Sequence, residues 1–138
     1  DGSHAKTVAA LQKATAAENA TAKIIAPQAG GVTLSDGKHL AADAQLAGAP
    51  SAQFDAVASV ITMESGERLR KDAAAQDWFR DAFGHLKAIA ACKATRLILE
   101  SAGIVPDAGV FDPADVAAFI DAAKTRQWDR ERTLRNLA

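Results

Sequence analysis

The stretch from Lys87 to Gly103, KAIAACKATRLILESAG, constrains the fold more than any other part of the sequence. Its first five residues, Lys87–Ala91, form a small apolar run between two helical patterns, and the run is too short for a helix, so it predicts a buried strand. Apolar residues at helical spacing follow, and Gly103 can adopt positive φ just past a helix end. In open parallel sheets, nucleophiles and ligands are usually presented where a strand turns into a helix. Cys92 lies at this turn and is therefore the first candidate site residue.

The first half of the chain alternates between helical and extended patterns. Ser3 is a predicted N-cap of an alanine-rich first helix, and TAKIIA at Thr21–Ala26 then predicts a strand. Asp36–Gly37 lies between two short alternating runs and predicts a β-hairpin with a two-residue turn. A near-continuous apolar run at Phe54–Thr62 predicts a strand that is buried on both faces.

The second half continues the alternation. The small and polar segment Ala41–Ser51 predicts an irregular surface connection, and Met63–Glu67 predicts a loop at the carboxyl end of a strand. A helix is expected from about Asp77, a short strand at Gly109–Phe111, and another helix with Asp112 as its N-cap. The helix from Asp77 carries one apolar stripe that predicts core packing, formed by Trp78, Phe79, Ala82, Phe83 and Leu86.

The order of these elements predicts the fold class. Alternating strands and helices imply an α/β, flavodoxin-like, doubly wound and mainly parallel sheet with an inserted β-hairpin. Residues 1–138 are then a single domain, but the first central strand of such a sheet is missing before Asp1. We therefore expect the chain to be an excerpt of a longer protein, with a strand of about five or six residues directly before Asp1.

Composition narrows the possible functions. The formal net charge is −1 and the pI is about 6.3, so the sequence has no electrostatic signature for nucleic acid or an anionic membrane. A single cysteine permits no internal disulfide, which fits a reducing compartment. No apolar run approaches the ~20 residues of a membrane span, and no signal-peptide pattern is present. These features predict a cytoplasmic protein without nucleic-acid or membrane partners.

Three segments carry a resemblance to a known family. They are AKIIAPQAGGVTLSDGKHLAADAQLAGAPSAQFDAV at Ala22–Val57, AFGHLKAIAA at Ala82–Ala91, and QWDRE at Gln127–Glu131. With these segments the chain resembles the C-terminal domain of large-subunit haem catalases. That domain is similar in fold to the PfpI-type and class I glutamine amidotransferase-like superfamily, and in the family a strand precedes the position of Asp1.

The resemblance implies a parent enzyme, a tetramer that decomposes hydrogen peroxide on a haem held by another domain. It implies as partners the N-terminal catalase domains and the other subunits, and unfolded client proteins for a chaperone-like role. The iron of a catalase haem is held by a tyrosine, and this chain contains none. We therefore expect no cofactor in this chain.

Cys92 has two interpretations. In PfpI-type enzymes a cysteine at the strand-to-helix turn is usually followed by His and Gly, and a Glu from the first strand lies beside it. Here Lys93 and Ala94 follow, the first strand is absent, and Cys92 falls one position short of the usual nucleophile when counted from Lys87. Lys93 and the helix N-terminus are able to activate a thiol. A lone cysteine in an alanine-rich buried run is, alternatively, a small hydrophobic residue.

Other polar residues give weaker signals. The three histidines, His4, His39 and His85, include no pair with metal-ligand spacing, so no metal site is expected. The glycines at positions 30, 31 and 37 form no G-x-G-x-x-G pattern, which gives no evidence for a flavin.

The predicted loop at the end of the second strand carries two acids and a base, Glu64, Glu67 and Arg68. These side chains are expected to be solvated.

The basic tail, Arg126–Ala138, is predicted to dock on the rest of the parent protein. In this interpretation Trp128 is the buried anchor, and Arg130, Arg132 and Arg135 form its polar rim.

Two functions remain. The first is a non-catalytic accessory domain of a haem catalase that stabilises the assembly and acts in a chaperone-like way. The alternative is a PfpI-type cysteine hydrolase or deglycase with Cys92 as the nucleophile. The pH dependence of the reaction between Cys92 and a thiol reagent separates the two.

Overall fold

A computed structural model describes residues 1–135 as an α/β protein with seven short strands and six α-helices. None of the helices in this part of the chain is long and apolar enough to cross a membrane. In chain order the elements are α1 (Ala5–Ala17), β1 (Ile25–Ala26), β2 (Val32–Thr33), β3 (His39–Leu40), β4 (Ala44–Gln45), β5 (Ala56–Ser59), α2 (Met63–Leu69), α3 (Ala73–Gly84), β6 (Ala88–Ala91), α4 (Lys93–Ser101), β7 (Val110–Phe111), α5 (Val116–Ala123) and α6 (Glu131–Arg135).

A three-stranded parallel sheet in the order β5-β6-β7 forms the centre of the molecule. All four residues of β6 are buried, and their alternation separates two helical layers. Ile89 and Ala91 pack in a cluster with α2, α3 and α4, whereas Ala88 and Ala90 pack against Phe119 of α5 and Leu11 of α1. Small side chains on β6 allow helices to approach closely on both faces, which explains why a strand of low β-propensity lies at the centre.

The predicted turn from strand to helix is confirmed. β6 ends at Ala91, α4 begins at Lys93, and Gly103 has φ of 75° just past the helix. The N–H of Gly103 donates to the carbonyl of Glu100 and the N–H of Ile104 to that of Leu99, the pattern of a Schellman motif. The carboxyl end of β6 therefore lies where the sequence predicts it.

The strand predicted at Thr21–Ala26 is present over only two of its six residues. Only Ile25–Ala26 is a strand, and it pairs in parallel with β4 in a separate two-stranded sheet. β4 lies within Ala41–Ser51, the segment predicted to be an irregular surface connection. That segment also contains the buried residues Ala49 and Ser51. They are buried because the Trp78 indole N–H donates to Ala49 O at 2.8 Å and Ser51 Oγ donates to Trp78 O at 2.5 Å.

The hairpin is present as β2 and β3, but its turn differs from the predicted two-residue turn. The N–H of Leu34 donates to Lys38 O and the N–H of Gly37 donates to Leu34 O, which leaves three residues in the loop. Gly37 has φ of 85°, whereas Asp36 has no positive φ. This is a type I turn followed by a glycine bulge, the usual arrangement for a three-residue hairpin loop.

The segment Met63–Glu67 is a helix, contrary to the predicted loop. Thr62 caps α2, because its Oγ1 accepts the N–H of Ser65 at 3.1 Å, and Glu64 in the first turn is favourable next to the helix dipole. Gly66 permits close packing against α4, since a Cβ at this position would lie 2.6 Å from Ala94 O. The weak helix propensity of this segment is therefore outweighed by its cap and its packing.

Three other helix starts differ from prediction. The N-cap of α1 is His4 in place of Ser3, which instead forms a bridge with Leu34. α3 begins at Ala73, four residues before the predicted start, because Asp72 caps it. α5 begins at Val116, because Asp112 accepts the N–H of Ala114 in a separate turn ahead of the helix.

Candidate functional site

The strand-to-helix turn holds Cys92 as the N-cap residue of α4. Its backbone has φ of −67° and ψ of 170°, an extended conformation that any residue adopts. Nucleophile elbows of hydrolases instead hold the reactive residue on a sharp, strained turn. The backbone at Cys92 therefore lacks the strain that such an elbow uses to present its nucleophile.

Among residues 1–135, the hydrogen-bond partners of the Cys92 thiol are all neutral groups. Its Sγ lies 3.5 Å from Ile61 O and 3.2 Å from Thr95 Oγ1, and the Thr95 hydroxyl donates in turn to Ser59 Oγ at 2.7 Å. Thr95 is fully buried and Cys92 is partly buried. The proton of Thr95 is directed to Ser59, so the thiol acts as a donor to Thr95 or Ile61. In this part of the chain, no imidazole or carboxylate is hydrogen-bonded to Sγ to accept its proton.

The charged residues predicted at this sheet edge do not join Cys92. Glu64, Glu67 and Arg68 are exposed on α2 in place of a strand-end loop, and Lys93 is exposed on the first turn of α4. Glu67 forms a 3.8 Å ion pair with Arg70. None of these side chains is hydrogen-bonded to Cys92 within residues 1–135, so the turn carries a cysteine without an assembled catalytic group.

The three histidines lie in three separate places. The ring of His4 accepts the N–H of Thr7 at the start of α1, and His39 is exposed on β3. The Nδ1 of His85 donates to Asp81 O at 2.8 Å, which satisfies a carbonyl at the end of α3. The described residues contain no group of three or more His, Cys, Asp or Glu residues that is able to hold a metal ion.

Arg130 is buried inside the domain, contrary to the exposed rim position predicted from the sequence. Predicted as an exposed rim residue, it is 3% exposed, and its guanidinium binds both carboxylate oxygens of Asp107 at 2.7 and 3.0 Å. It also donates to Phe83 O and Lys87 O, and it stacks on the Phe83 ring with 4.0 Å to the centroid. Gly109 makes room for it, since a Cβ there would lie 2.5 Å from Nη2. Arg130 is therefore an internal structural residue of this domain.

Two neighbours of Arg130 extend this contact. Arg126 donates to His85 O at 2.9 Å, and the N–H of Gln127 donates to Leu86 O at 2.8 Å. We call Arg126, Gln127 and Arg130 the C-terminal cap, because together they bind carbonyl groups at and just after the end of α3. Trp128, between them, is 64% exposed on this domain. Residues 136–138 of the predicted docking tail lie outside the described residues.

Two titrating groups next to the C-terminal cap have shifted pKa values. Burial tends to raise the pKa of Asp107, but the hydrogen bonds from Arg130 and from the N–H of Gly109, with the charge of Arg130, outweigh it and hold the pKa below its usual range. Burial, with the nearby charge of Arg126, lowers the pKa of the Lys87 ammonium. The carboxylate of Asp107 is thus the anionic half of a hydrogen-bonded ion pair.

Comparison with known proteins identifies the family of this chain. Residues 1–130 match the model of a family described as the C-terminal domain found in long catalases. The chain belongs to this family. It is 39% identical over 141 residues to Catalase C of Rhizobium meliloti (strain 1021), a match that covers 98% of this chain and 20% of that catalase. It is 30% identical over 135 residues to Catalase HPII of Pseudomonas putida, covering 95% and 19% respectively. This catalase C-terminal domain thus spans about a fifth of the length of the curated relatives it matches.

A solved structure establishes the fold of this catalase C-terminal domain. Drosophila melanogaster DJ-1beta matches with a TM-score of 0.72 at 13% identity, over 99% of this chain and 92% of that chain. At this identity the likeness concerns the fold alone. The predicted resemblance to a catalase C-terminal domain and the predicted flavodoxin-like α/β fold are both confirmed.

The residues of this catalase C-terminal domain do not fit a haem. The iron of a catalase haem is bound by tyrosine, and the sequence contains none. Among residues 1–135, the cavity of about 860 Å³ between β1 and β5 is lined by no histidine, cysteine or methionine that offers an alternative axial ligand. No catalytic step through haem is therefore assigned to this domain.

Proposed function

We propose that this domain is a non-catalytic accessory domain that stabilises the assembly of a longer haem catalase. The observation that carries the proposal is the environment of Cys92: at the strand-to-helix turn, the thiol donates to neutral oxygens and has no hydrogen-bonded base within residues 1–135. A cysteine in such surroundings contributes packing and a weak hydrogen bond.

In this proposal the chemistry belongs to the rest of the parent protein. The parent decomposes hydrogen peroxide on a haem in its N-terminal catalase domain, in the cytoplasm, and this domain contacts that catalase domain and other subunits. Trp128 is the proposed anchor of this contact, because a large aromatic side chain that is 64% exposed gains most from burial against a partner.

A chaperone-like role is the second candidate. Exposed apolar side chains support it, since unfolded proteins bind through apolar surface. Besides Trp128, which the first proposal places in the contact with the parent protein, they are Met63 and Val105. Suppression of the aggregation of an unfolding client by the longer catalase, lost in Val105→Ser but kept in Arg132→Ala, is the expected result. Equal suppression by both variants would exclude Val105 as the client site.

The accessory role is tested by removing residues 1–138 from the longer catalase. We expect the rate of peroxide decomposition per haem at 25 °C to be unchanged, while the temperature of irreversible inactivation and the urea concentration that dissociates the subunits both fall. A lower rate per haem, in a protein that remains assembled, would contradict the non-catalytic assignment.

A matched variant tests the hydrolase alternative. In the longer catalase, Cys92→Ser keeps a hydroxyl donor at the same place, and we expect it to leave peroxide decomposition and subunit dissociation unchanged. Peptidase or deglycase activity that is present in the parent protein and lost in Cys92→Ser would contradict the accessory proposal and support the hydrolase alternative.

A further inference from the structure

Lys87 is a buried cation for which the described part of the chain provides no ion-pair partner. The residue directly precedes β6 and is 4% exposed. The ion pairs within residues 1–135 involve other cations, which are Arg70, Arg80, Lys124, Arg130 and Arg135. Lysine is rarely buried to this degree unless it is paired with an anion. The burial of Lys87 therefore indicates an anion that comes from outside these residues.

The ammonium of Lys87 nevertheless reaches the surface. Among the side-chain hydrogen bonds of residues 1–135, Lys87 takes part only through its carbonyl, which accepts from Arg130. In the same residues no fully buried side-chain nitrogen lacks a hydrogen-bond partner, so Nζ of Lys87 is not fully buried. The aliphatic stem is therefore inside the domain while the charged end is open to an anion from a partner.

Arg126 places a second cation beside Lys87. The charge of Arg126 lowers the pKa of the Lys87 ammonium, which requires the two groups to lie close together. Nη1 of Arg126 donates to His85 O at 2.9 Å, and the residue is exposed. Two neighbouring cations repel each other, so an anion that contacts both is favoured.

Asp55 is the acid of this domain whose charge acts on Lys87. Asp55 directly precedes Ala56, whose partner in register is Ala88, so Asp55 and Lys87 lie side by side at the amino end of the sheet. Asp55 raises the pKa of Lys87, but burial and the charge of Arg126 outweigh this effect. Asp55 is exposed and forms no ion pair within residues 1–135. The domain therefore compensates the two cations only in part.

Arg126 connects these cations to the exposed Trp128. Both residues line one surface hollow of about 360 Å³, and Trp128 is 64% exposed. A large exposed aromatic side chain gains most from burial against another protein surface. The cations and Trp128 thus belong to one continuous surface, which fits an acidic side chain on a protein partner better than a free anion.

We propose that Lys87 and Arg126 together bind the carboxylate of an aspartate or glutamate from the rest of the longer catalase, at the contact that buries Trp128. This inference rests on the proposed accessory function and specifies the chemistry of its contact. Hydrogen bonds between cations and a carboxylate are about twice as strong as those between neutral groups. The chain spans about a fifth of its relatives, so most of a longer catalase lies outside it and is the source of such an acid.

Zero-length cross-linking of the longer catalase tests this inference. A carbodiimide joins a carboxylate and an ammonium that are in contact through an amide, and mass spectrometry of the digest identifies both residues. We expect an amide between Lys87 Nζ and an acid outside residues 1–138. Lys124 and Glu18, an exposed ion pair at 3.3 Å, are the internal control and should be linked in the same sample.

Two outcomes of the cross-linking would overturn the inference. An amide from Lys87 to Asp55 alone would mean that the domain supplies its own anion. The absence of any Lys87 amide, in a sample where Lys124 and Glu18 are linked, would mean that Lys87 contacts no carboxylate. A free ion such as phosphate would then be the remaining occupant.

Charge reversal in the longer catalase measures what the contact contributes. Lys87→Glu should lower the temperature of irreversible inactivation, and replacement of the cross-linked acid by lysine in the same protein should restore most of the loss. Lys87→Met keeps the apolar stem and should show a smaller fall. Arg132→Glu is the matched control at an exposed position and should leave the temperature unchanged.

The accessory function and the carboxylate contact fail separately in these experiments. If removal of residues 1–138 lowers the inactivation temperature but the second substitution does not rescue Lys87→Glu, the carboxylate contact is contradicted and the accessory function stands. If removal of residues 1–138 leaves that temperature unchanged, the accessory function itself is contradicted.

Discussion

β6 differs from β1 and β5 in how much of each predicted strand is present. The prediction at Lys87–Ala91 is realised over four of its five residues, since β6 has partners on both edges. Phe54–Thr62 is realised over four residues of nine and Thr21–Ala26 over two of six, and each has one partner. The two less complete strands carry the more β-branched sequences. β5 and β6 are both four residues long, so strand length does not follow β-propensity here, and the predicted range is most fully realised in the strand with two paired edges.

The largest expected effect concerns the buried ion pair between Arg130 and Asp107. Arg130→Ala removes a buried guanidinium and leaves Asp107 without its partner, so the free energy of unfolding should fall by about 3 kcal/mol. The value lies at the low end for a broken buried pair because about a third of the Asp107 side chain remains exposed. Urea denaturation checks it, with Arg135→Ala as an exposed control expected within about 0.5 kcal/mol. Equal losses of unfolding free energy in the two variants would show that the buried Arg130 stabilises the fold no more than the exposed Arg135 does.

A second prediction concerns the close contact of α2 with α4. Gly66→Ala places a Cβ within 2.6 Å of Ala94 O, and we expect a loss of about 1–3 kcal/mol from overpacking. Gly84→Ala is the matched control, because a Cβ there meets no atom within 4 Å. Thermal denaturation of both variants should separate them, and a Gly66→Ala protein as stable as Gly84→Ala would mean that the helices move apart at little cost.

The third prediction concerns the turn of the hairpin formed by β2 and β3. Gly37→Ala forces a side chain into φ of 85°, which should cost about 1 kcal/mol. Asp36→Ala should not show this backbone cost, since Asp36 has no positive φ. It loses only the hydrogen bond from the N–H of Lys38 to its carboxylate. Chemical denaturation checks both variants. A larger loss of unfolding free energy in Asp36→Ala than in Gly37→Ala would contradict this turn assignment and support the two-residue turn.

The smallest effect is a pH dependence. The folded-state pKa of Asp107 lies below its unfolded value, so the pair with Arg130 contributes fully above the ordinary carboxyl pKa of about 3.9. The contribution is lost as the pH falls through the lower folded-state pKa. Asp107→Asn should therefore reduce the dependence of unfolding free energy on pH below about pH 4. Identical slopes for parent and variant would assign the acid sensitivity to other carboxylates.

Sequence patterns predicted the centre of the fold well because its signals are local. The Lys87–Gly103 stretch combines a short apolar run, a helical stripe and a C-terminal glycine, and each acts within a few residues. The stripe on α3 is core in the same way, with Phe79 and Ala82 buried. The fold class and the position of Cys92 follow from these signals.

Long-range contacts account for most of the errors. Nothing near Arg130 in the sequence indicates that Asp107, 23 residues earlier, accepts its two N–H groups, so the sequence predicts an exposed position for Arg130. The Ser-Gly pair of α2 predicts a loop, although Thr62 and Glu64 are signals of a helix start. For the candidate site, the sequence located Cys92 but not the neutral oxygens of Ile61 and Thr95 around it.

A crystal structure of the longer protein tests the central claim, the accessory role of this domain, most directly through the surroundings of Trp128 and Cys92. The account predicts that Trp128, which is 64% exposed on this domain, is buried against the N-terminal catalase domain or another subunit, and that Cys92 Sγ keeps its neutral partners. A Trp128 side chain that stays in solvent, or an imidazole or carboxylate within hydrogen-bond distance of Cys92 Sγ, would contradict it.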